Sequence, residues 1–196
     1  MSKSLLIIFV KVPEIGKVKT RLAESIGDIR ALEIYHQLLA HTAAITQVLA
    51  YDKIVYYTPE IQHDDIWGEV HFLKARQPEG DLGKKMQHAF EEGFAAGYEQ
   101  VCLIGSDCYQ LSSQIIEQAF EALSAQDVVI GPATDGGYYL LGMKKMHEAL
   151  FRNKKWSTDS VLKDTIADLS TAQLACFLLP ELTDVDTEED LSSMQT

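Results

Sequence analysis

Short apolar runs alternate with longer segments of helical period along almost the whole chain, and no other feature restricts its fold so strongly. Brief runs rich in Val, Ile and Leu read as buried strands, and an amphipathic segment between successive runs makes a βαβ unit. Strands are expected at 5–12, 53–58, 70–75, 100–106, 127–132, 138–143 and 175–179. Leu32, Tyr35, Leu39, Thr42, Ile45 and Leu49 mark one face of a helix. Met86, Phe90 and Phe94 mark a second, and Ile116, Phe120 and Leu123 a third. Such stripes are core packing and carry no function of their own. One interval breaks the alternation. Residues 133–137 are too few for a crossover helix, so the strands beside them cannot be ordinary parallel neighbours. The expectation is a single α/β domain over 1–196 with a mixed, mostly parallel sheet.

Charge and cysteine usage narrow the partners. A formal charge of −12 repels a nucleic-acid backbone, and no basic stripe offsets it. Lys11, Lys17, Lys19 and Arg21 nevertheless crowd the first loop, while Asp184, Asp186, Glu188, Glu189 and Asp190 crowd the end. That asymmetry favours a small anionic ligand near the first loop. Three cysteines without a CxxC pair suit a reducing compartment. The apolar stretch 5–10 is too short to span a bilayer and lacks a cleavage signature. A cytoplasmic protein without a membrane span is therefore expected; the oligomeric state is not legible.

The segment Gln100-Val-Cys-Leu-Ile-Gly-Ser-Asp107 carries the clearest chemical signal. Ligands of open α/β sheets collect at the carboxyl ends of strands. Gly105 and Ser106 would let a large group approach the backbone, and Asp107 would hold a charge there, either on a metal ion or as the cap of a following turn. After the first strand, Gly16 supplies conformational freedom, and Lys11, Lys19 and Arg21 supply charge for phosphate oxygens. The spacing is neither a Walker loop nor GxGxxG. Gly80 and Asp81 lie before the second helix, where Asp81 would either cap that helix or touch a nucleoside. Asp135, Gly136, Gly137 and Tyr138 read as a hairpin turn, or as an acceptor platform with Asp135 aimed at a hydroxyl. Thr187 suits an N-cap followed by Glu188, Glu189 and Asp190, which leaves Asp184 and Asp186 unexplained. Carboxylates meeting Asp107 would repel by on the order of 4 kcal/mol per pair at about 4 Å and an effective dielectric of about 20. A divalent cation reverses that sign, and oxygen-only ligands favour Mg²⁺ or Mn²⁺. Zinc and serine-hydrolase patterns are absent.

Six segments occur in a telling order: Lys11-x-Pro-x-x-Gly16-x-x-Lys19-Thr-Arg-Leu22, Gln77-Pro-Glu-Gly-Asp-Leu-Gly83, Gly105-Ser-Asp107, Gly131-Pro-Ala-Thr-Asp-Gly-Gly-Tyr138, Trp156-Ser-Thr158 and Asp184-Val-Asp-Thr-x-Glu-Asp-Leu191. Together they resemble bacterial GT-A-type glycosyltransferase-like proteins of the nucleotide-diphospho-sugar transferase superfamily, including arsenosugar-biosynthesis and selenodomain-associated transferases. The resemblance implies a single-domain GT-A-like three-layer α/β/α fold and transfer of a sugar from a nucleotide-diphosphate donor to a small hydroxyl acceptor. It further implies Asp107, Asp184 and Asp186 as ligands of Mg²⁺ or Mn²⁺. Lys11, Gly16, Lys19, Arg21, Gly80, Asp81 and Ser106 fall on the donor side. Asp135 is the catalytic candidate, and Gly136, Gly137, Tyr138 and Trp156 lie on the acceptor side. Tyr109 stands where such proteins usually carry proline, and Lys85 where arginine is common. Guanylyltransferase-like nucleotidyl transfer with release of pyrophosphate, and nucleotide binding without turnover, are the alternatives.

Overall fold

The computed structural model describes residues 3–195. Its elements run β1 (Ser4–Lys11), α1 (Thr20–Ile26), α2 (Asp28–Gln47), β2 (Asp52–Thr58), β3 (Leu73–Arg76), α3 (Leu82–Ala95), β4 (Gln100–Ile104), α4 (Ser113–Ala122), β5 (Val128–Pro132), β6 (Tyr138–Met143), α5 (Val161–Thr171) and β7 (Cys176–Leu178). One seven-stranded sheet has the order β3-β2-β1-β4-β6-β5-β7. β6 runs antiparallel to both β4 and β5, while the β1–β2, β1–β4, β2–β3 and β5–β7 pairs are parallel. The five-residue connection is thus a hairpin inside an otherwise parallel sheet, as its length demands.

Alternation across the sheet explains why β1 is apolar at every position but both ends. Leu6, Ile8 and Val10 face α2 and α4, while Leu5, Ile7 and Phe9 face α3 and α5. Both faces are covered, so the three layers form two cores on either side of the sheet. A third, smaller cluster joins Leu22 of α1 to Ala31, Ile34 and Leu38 of α2 and to Val185. Because α2 packs on both the sheet and α1, its buried surface is wider than the single stripe the sequence suggests. Helix α2 also stops at Gln47, and Leu49 is buried in the turn that follows, its amide donating to Thr46. Among the described residues no helix is long and apolar enough to cross a membrane.

Two local expectations change. The strand expected from residue 70 begins only at Leu73. His71 and Phe72 donate backbone hydrogen bonds to Gly68, closing a turn that leaves Val70 92% exposed and swings Phe72 edge-on to Trp67. At the other end, Thr187 does not cap an α-helix. The segment Glu189–Gln195 is a 3-10 helix, and the Asp190 carboxylate accepts from the amides of Asp186 and Thr187 and from the Thr187 hydroxyl. Local acidity suggests helix capping, whereas the carboxylate reaches backwards and ties down the loop carrying Asp184 and Asp186.

Candidate functional site

The chain leaves β1 towards β2 on one side and returns through β4 on the other, so a crevice opens between the ends of β1 and β4. Such a switch point is where open α/β sheets bind ligands. Here it holds a cavity of about 780 Å³. Its walls include Lys11, Lys19, Arg21, Ser106, Asp107, Asp135, Gly137, Tyr138, Trp156, Asp184 and Asp186, all singled out in the sequence. Gly16, Gly80, Asp81 and Gly136 do not line it.

The first wall is the loop after β1. Its start is fixed by Tyr35 of α2, whose hydroxyl accepts from the Lys11 amide at 2.9 Å and donates to the Lys11 carbonyl at 3.0 Å. Burial, with the Asp107 charge adding to it, pushes the Tyr35 phenol up to about 12, so it stays a neutral clamp. Gly16 turns the loop at φ 72°. Val18 and Leu22 are buried and anchor its far end. Between them Lys19 adopts a left-handed backbone (φ 48°, ψ 45°), a conformation that non-glycine residues keep only where surrounding packing enforces it. The consequence is an inward-pointing ammonium. Its nitrogen lies 2.9 Å from Asp107 and 3.0 Å from Asp186, with the Lys19 side chain only 4% exposed. Burial works against that charge, but Asp107 and then Asp186 more than offset it and hold the ammonium above the usual lysine range. Arg21 stands further out, 3.9 Å from Asp186 and largely in solvent.

The second wall brings distant carboxylates together. Asp107 leaves the end of β4, and its carbonyl accepts from the Val185 amide at 2.9 Å. Val185 is fully buried in the α1–α2 cluster, a contact worth about 1.5–3 kcal/mol. Its two neighbours, Asp184 and Asp186, are thereby turned to the cavity. Loss of solvent, then the charges of Asp107 and Asp135, push the Asp184 carboxyl up to about 7, against the opposing pull of Lys19. Asp186 pairs directly with Lys19.

The third wall is built from loops. Asp135 accepts from the Gly137 amide at 2.8 Å, which fixes one carboxylate oxygen within the hairpin. Gly136 serves as a seat rather than a wall. At φ +86° it lies under the Asp159 backbone, where an added Cβ would fall 2.2 Å from the Asp159 oxygen. Gly83 does the same for Trp156, whose indole nitrogen would lie 2.2 Å from a Cβ there. These close approaches hold 156–159 over the cavity, beside Leu82, Lys85 and Met86 of α3. Tyr138 lines the floor through its ring, while its hydroxyl is buried beside Thr165 and is not presented to an acceptor. Asp81 caps α3, accepting from the Lys84 amide at 2.8 Å. The cap expected from the sequence is present, and it engages one oxygen of the Asp81 carboxylate.

Sequence reasoning passes over Tyr35, Gln77 and Val185. Tyr35 falls on a core stripe, and only its hydroxyl distinguishes it. Gln77 is buried, with its amide nitrogen donating to the Val10 and Tyr56 carbonyls. That a polar residue should end a strand run is the available signal.

Mg²⁺ or Mn²⁺ suits this corner by its donor chemistry, since Asp107 and Asp186 offer only oxygen and already flank a cation, the lysine ammonium. Among the described residues no three His, Cys, Asp or Glu side chains stand as a ready-made ion cage.

Comparison with known proteins agrees with the architecture. A crystal structure from Desulfovibrio desulfuricans G20, described as a putative nucleotide-diphospho-sugar transferase, is 35% identical. It superposes with a TM-score of 0.90 over 97% of this chain and 85% of that one. A cytidylyltransferase from Leptospira borgpetersenii is 13% identical, with a TM-score of 0.60 over 97% of this chain and 84% of the other. The 2-C-methyl-D-erythritol 4-phosphate cytidylyltransferase of Thermus thermophilus is 14% identical, with a TM-score of 0.56 over 100% of this chain and 98% of the other. These two share the fold alone. No curated protein matches the sequence. Residues 39–158 match the family described as uncharacterized protein conserved in bacteria (DUF2064). With more than half its length inside that match and a GT-A-like α/β sheet around the crevice, the chain belongs to the DUF2064 family.

Proposed function

We propose that this protein is a transferase that moves a sugar from a nucleotide-diphosphate donor to a small hydroxyl acceptor. The observation that carries the reading is the meeting of Asp107 and Asp186 on one cation at the sheet's switch point. The motif resemblance to arsenosugar-type transferases and the name of the Desulfovibrio relative support it.

A divalent ion held by Asp107 and Asp186, with Asp184 behind them, would neutralise charge developing on the leaving diphosphate. Lys11 and Arg21 border the same space and would pair with phosphate oxygens, Arg21 through its planar fork. Ser106 and Gly105 leave the β4 end open to close approach. The acceptor would lie against 156–159 and the hairpin, where Trp156 offers a flat apolar face. As the acceptor oxygen bonds to the sugar's anomeric carbon and the bond to the diphosphate breaks, the hydroxyl proton passes to Asp135. One oxygen of that carboxylate is held by Gly137, which orients the other. A cytoplasmic location is part of this proposal.

Product analysis tests it. Incubation with nucleotide sugars of differing base, Mn²⁺ and simple hydroxyl acceptors should release a free nucleoside diphosphate. The basic cluster Lys11, Lys19 and Arg21 also suits a triphosphate tail, the specific feature favouring nucleotidyl transfer. Pyrophosphate released from a nucleoside triphosphate would establish that second reading instead. Nucleotide binding without either product would leave a non-catalytic domain.

A further inference from the structure

We propose that Lys19 and a divalent cation are alternative occupants of the space between Asp107 and Asp186, so that metal entry releases the lysine towards the donor's phosphates. The inference rests on the metal assignment made under Proposed function and adds a residue that gates it. The ammonium stands almost equidistant from the two carboxylates, at 2.9 Å and 3.0 Å, and is nearly shut off from water. A divalent ion held by these two carboxylates would need the space that the ammonium now fills. An ammonium and a divalent ion crowded against the same two carboxylates would repel. Lysine is suited to leave, being a compact charge on a flexible stem.

The backbone beneath it is not free to leave. Val18 and Leu22 are buried on either side, and the Lys19 carbonyl accepts from Ala23 as α1 begins. Only the side chain can therefore move, and the adjoining space is the cavity bordered by Lys11 and Arg21. A diphosphate arriving there gives the displaced ammonium a new partner. Without one, the lysine stays paired with both carboxylates and opposes the metal. Ion and diphosphate then bind as a unit.

The test measures Mn²⁺ binding by the free-ion electron paramagnetic resonance signal, using the full chain without nucleotide. Lys19→Met should bind Mn²⁺ at least tenfold more tightly than the unaltered protein. Lys11→Gln, which removes an equal charge from the same cavity, should change binding by less than threefold. Equal binding by Lys19→Met, or an equal gain in Lys11→Gln, overturns the exchange. Adding Asp107→Asn to Lys19→Met separates the two levels. If the double variant binds as tightly as Lys19→Met, the ion sits elsewhere and the metal assignment itself falls. If Asp107→Asn weakens binding while Lys19→Met gains nothing, the assignment stands and the exchange falls. Should Lys19→Met fail to fold, the unaltered chain suffices. The ¹H–¹⁵N signal of the Lys19 ammonium should shift or broaden on saturation with Mg²⁺, and an unchanged signal overturns the proposal.

Discussion

The two halves of the cavity are held by different means. On the side of Asp107 and Asp186, each charged group is fastened from behind by buried residues: Tyr35 at Lys11, Val18 and Leu22 at Lys19, and Val185 between two aspartates. On the side of Trp156 and Asp135, loops rest on glycines, and the ties are largely backbone contacts. The first arrangement anchors the backbone beneath each charged group. The second presents a surface whose side chains can vary while the seat remains. Loops on a rigid scaffold are where specificity is usually built.

Substitutions can break this contrast. Asp107→Asn should have the largest effect, lowering transfer efficiency at least about 100-fold, or ~3 kcal/mol of lost transition-state stabilisation. Its Tm should change little, since the Asp107 side chain is 43% exposed and water can replace its contacts. A large drop in Tm with unchanged donor binding would make Asp107 a brace rather than part of the chemistry.

Asp184 gives a pH-dependent test. Its folded-state carboxyl is raised to about 7 from an ordinary value near 4, first by lost solvation and then by Asp107 and Asp135. The native state therefore holds a proton that the unfolded chain has released, and metal-free stability falls as pH rises from about 4 through 7. Asp184→Asn removes that loss, so it should stabilise the metal-free protein by about 1–2 kcal/mol at pH 8 and by much less at pH 4. Denaturant titrations at the two pH values measure it. An equal change at both would show that folding does not raise the Asp184 carboxyl.

Trp156→Ala should raise the acceptor KM about tenfold, ~1.4 kcal/mol, while leaving donor affinity within about threefold. Equal losses on both would erase the division into halves. Asp81→Ala is expected to cost least, about 1 kcal/mol of stability through loss of the α3 cap, with donor affinity unchanged. A selective loss of nucleotide binding would instead give Asp81 the nucleoside role that its sequence position also allows.

Legibility followed the range of the interactions. β1 and β4 were visible because burial on both faces demands continuous apolar runs, and the 133–137 connection excluded parallel pairing by length alone. The beginning of β3 was not visible, because a turn closed by Gly68 competes with the apolar residues after it. The acidic residues at 184–190 were visible as a group, yet their division of labour was not. Asp190 turns back to hold the loop while Asp186 turns inwards.

What the chain's residues settle alone is therefore the α/β alternation, the hairpin, the basic first loop and the acidic ends of β4 and the final loop. Each follows from local periodicity, length or charge. Only the tertiary fold decides that Lys19 stands between Asp107 and Asp186, that Val185 turns both its neighbours to the cavity, and that Gly83 and Gly136 are seats for other segments. Those relations depend on surfaces far apart along the polypeptide coming within a few ångströms. No local propensity encodes such a distance.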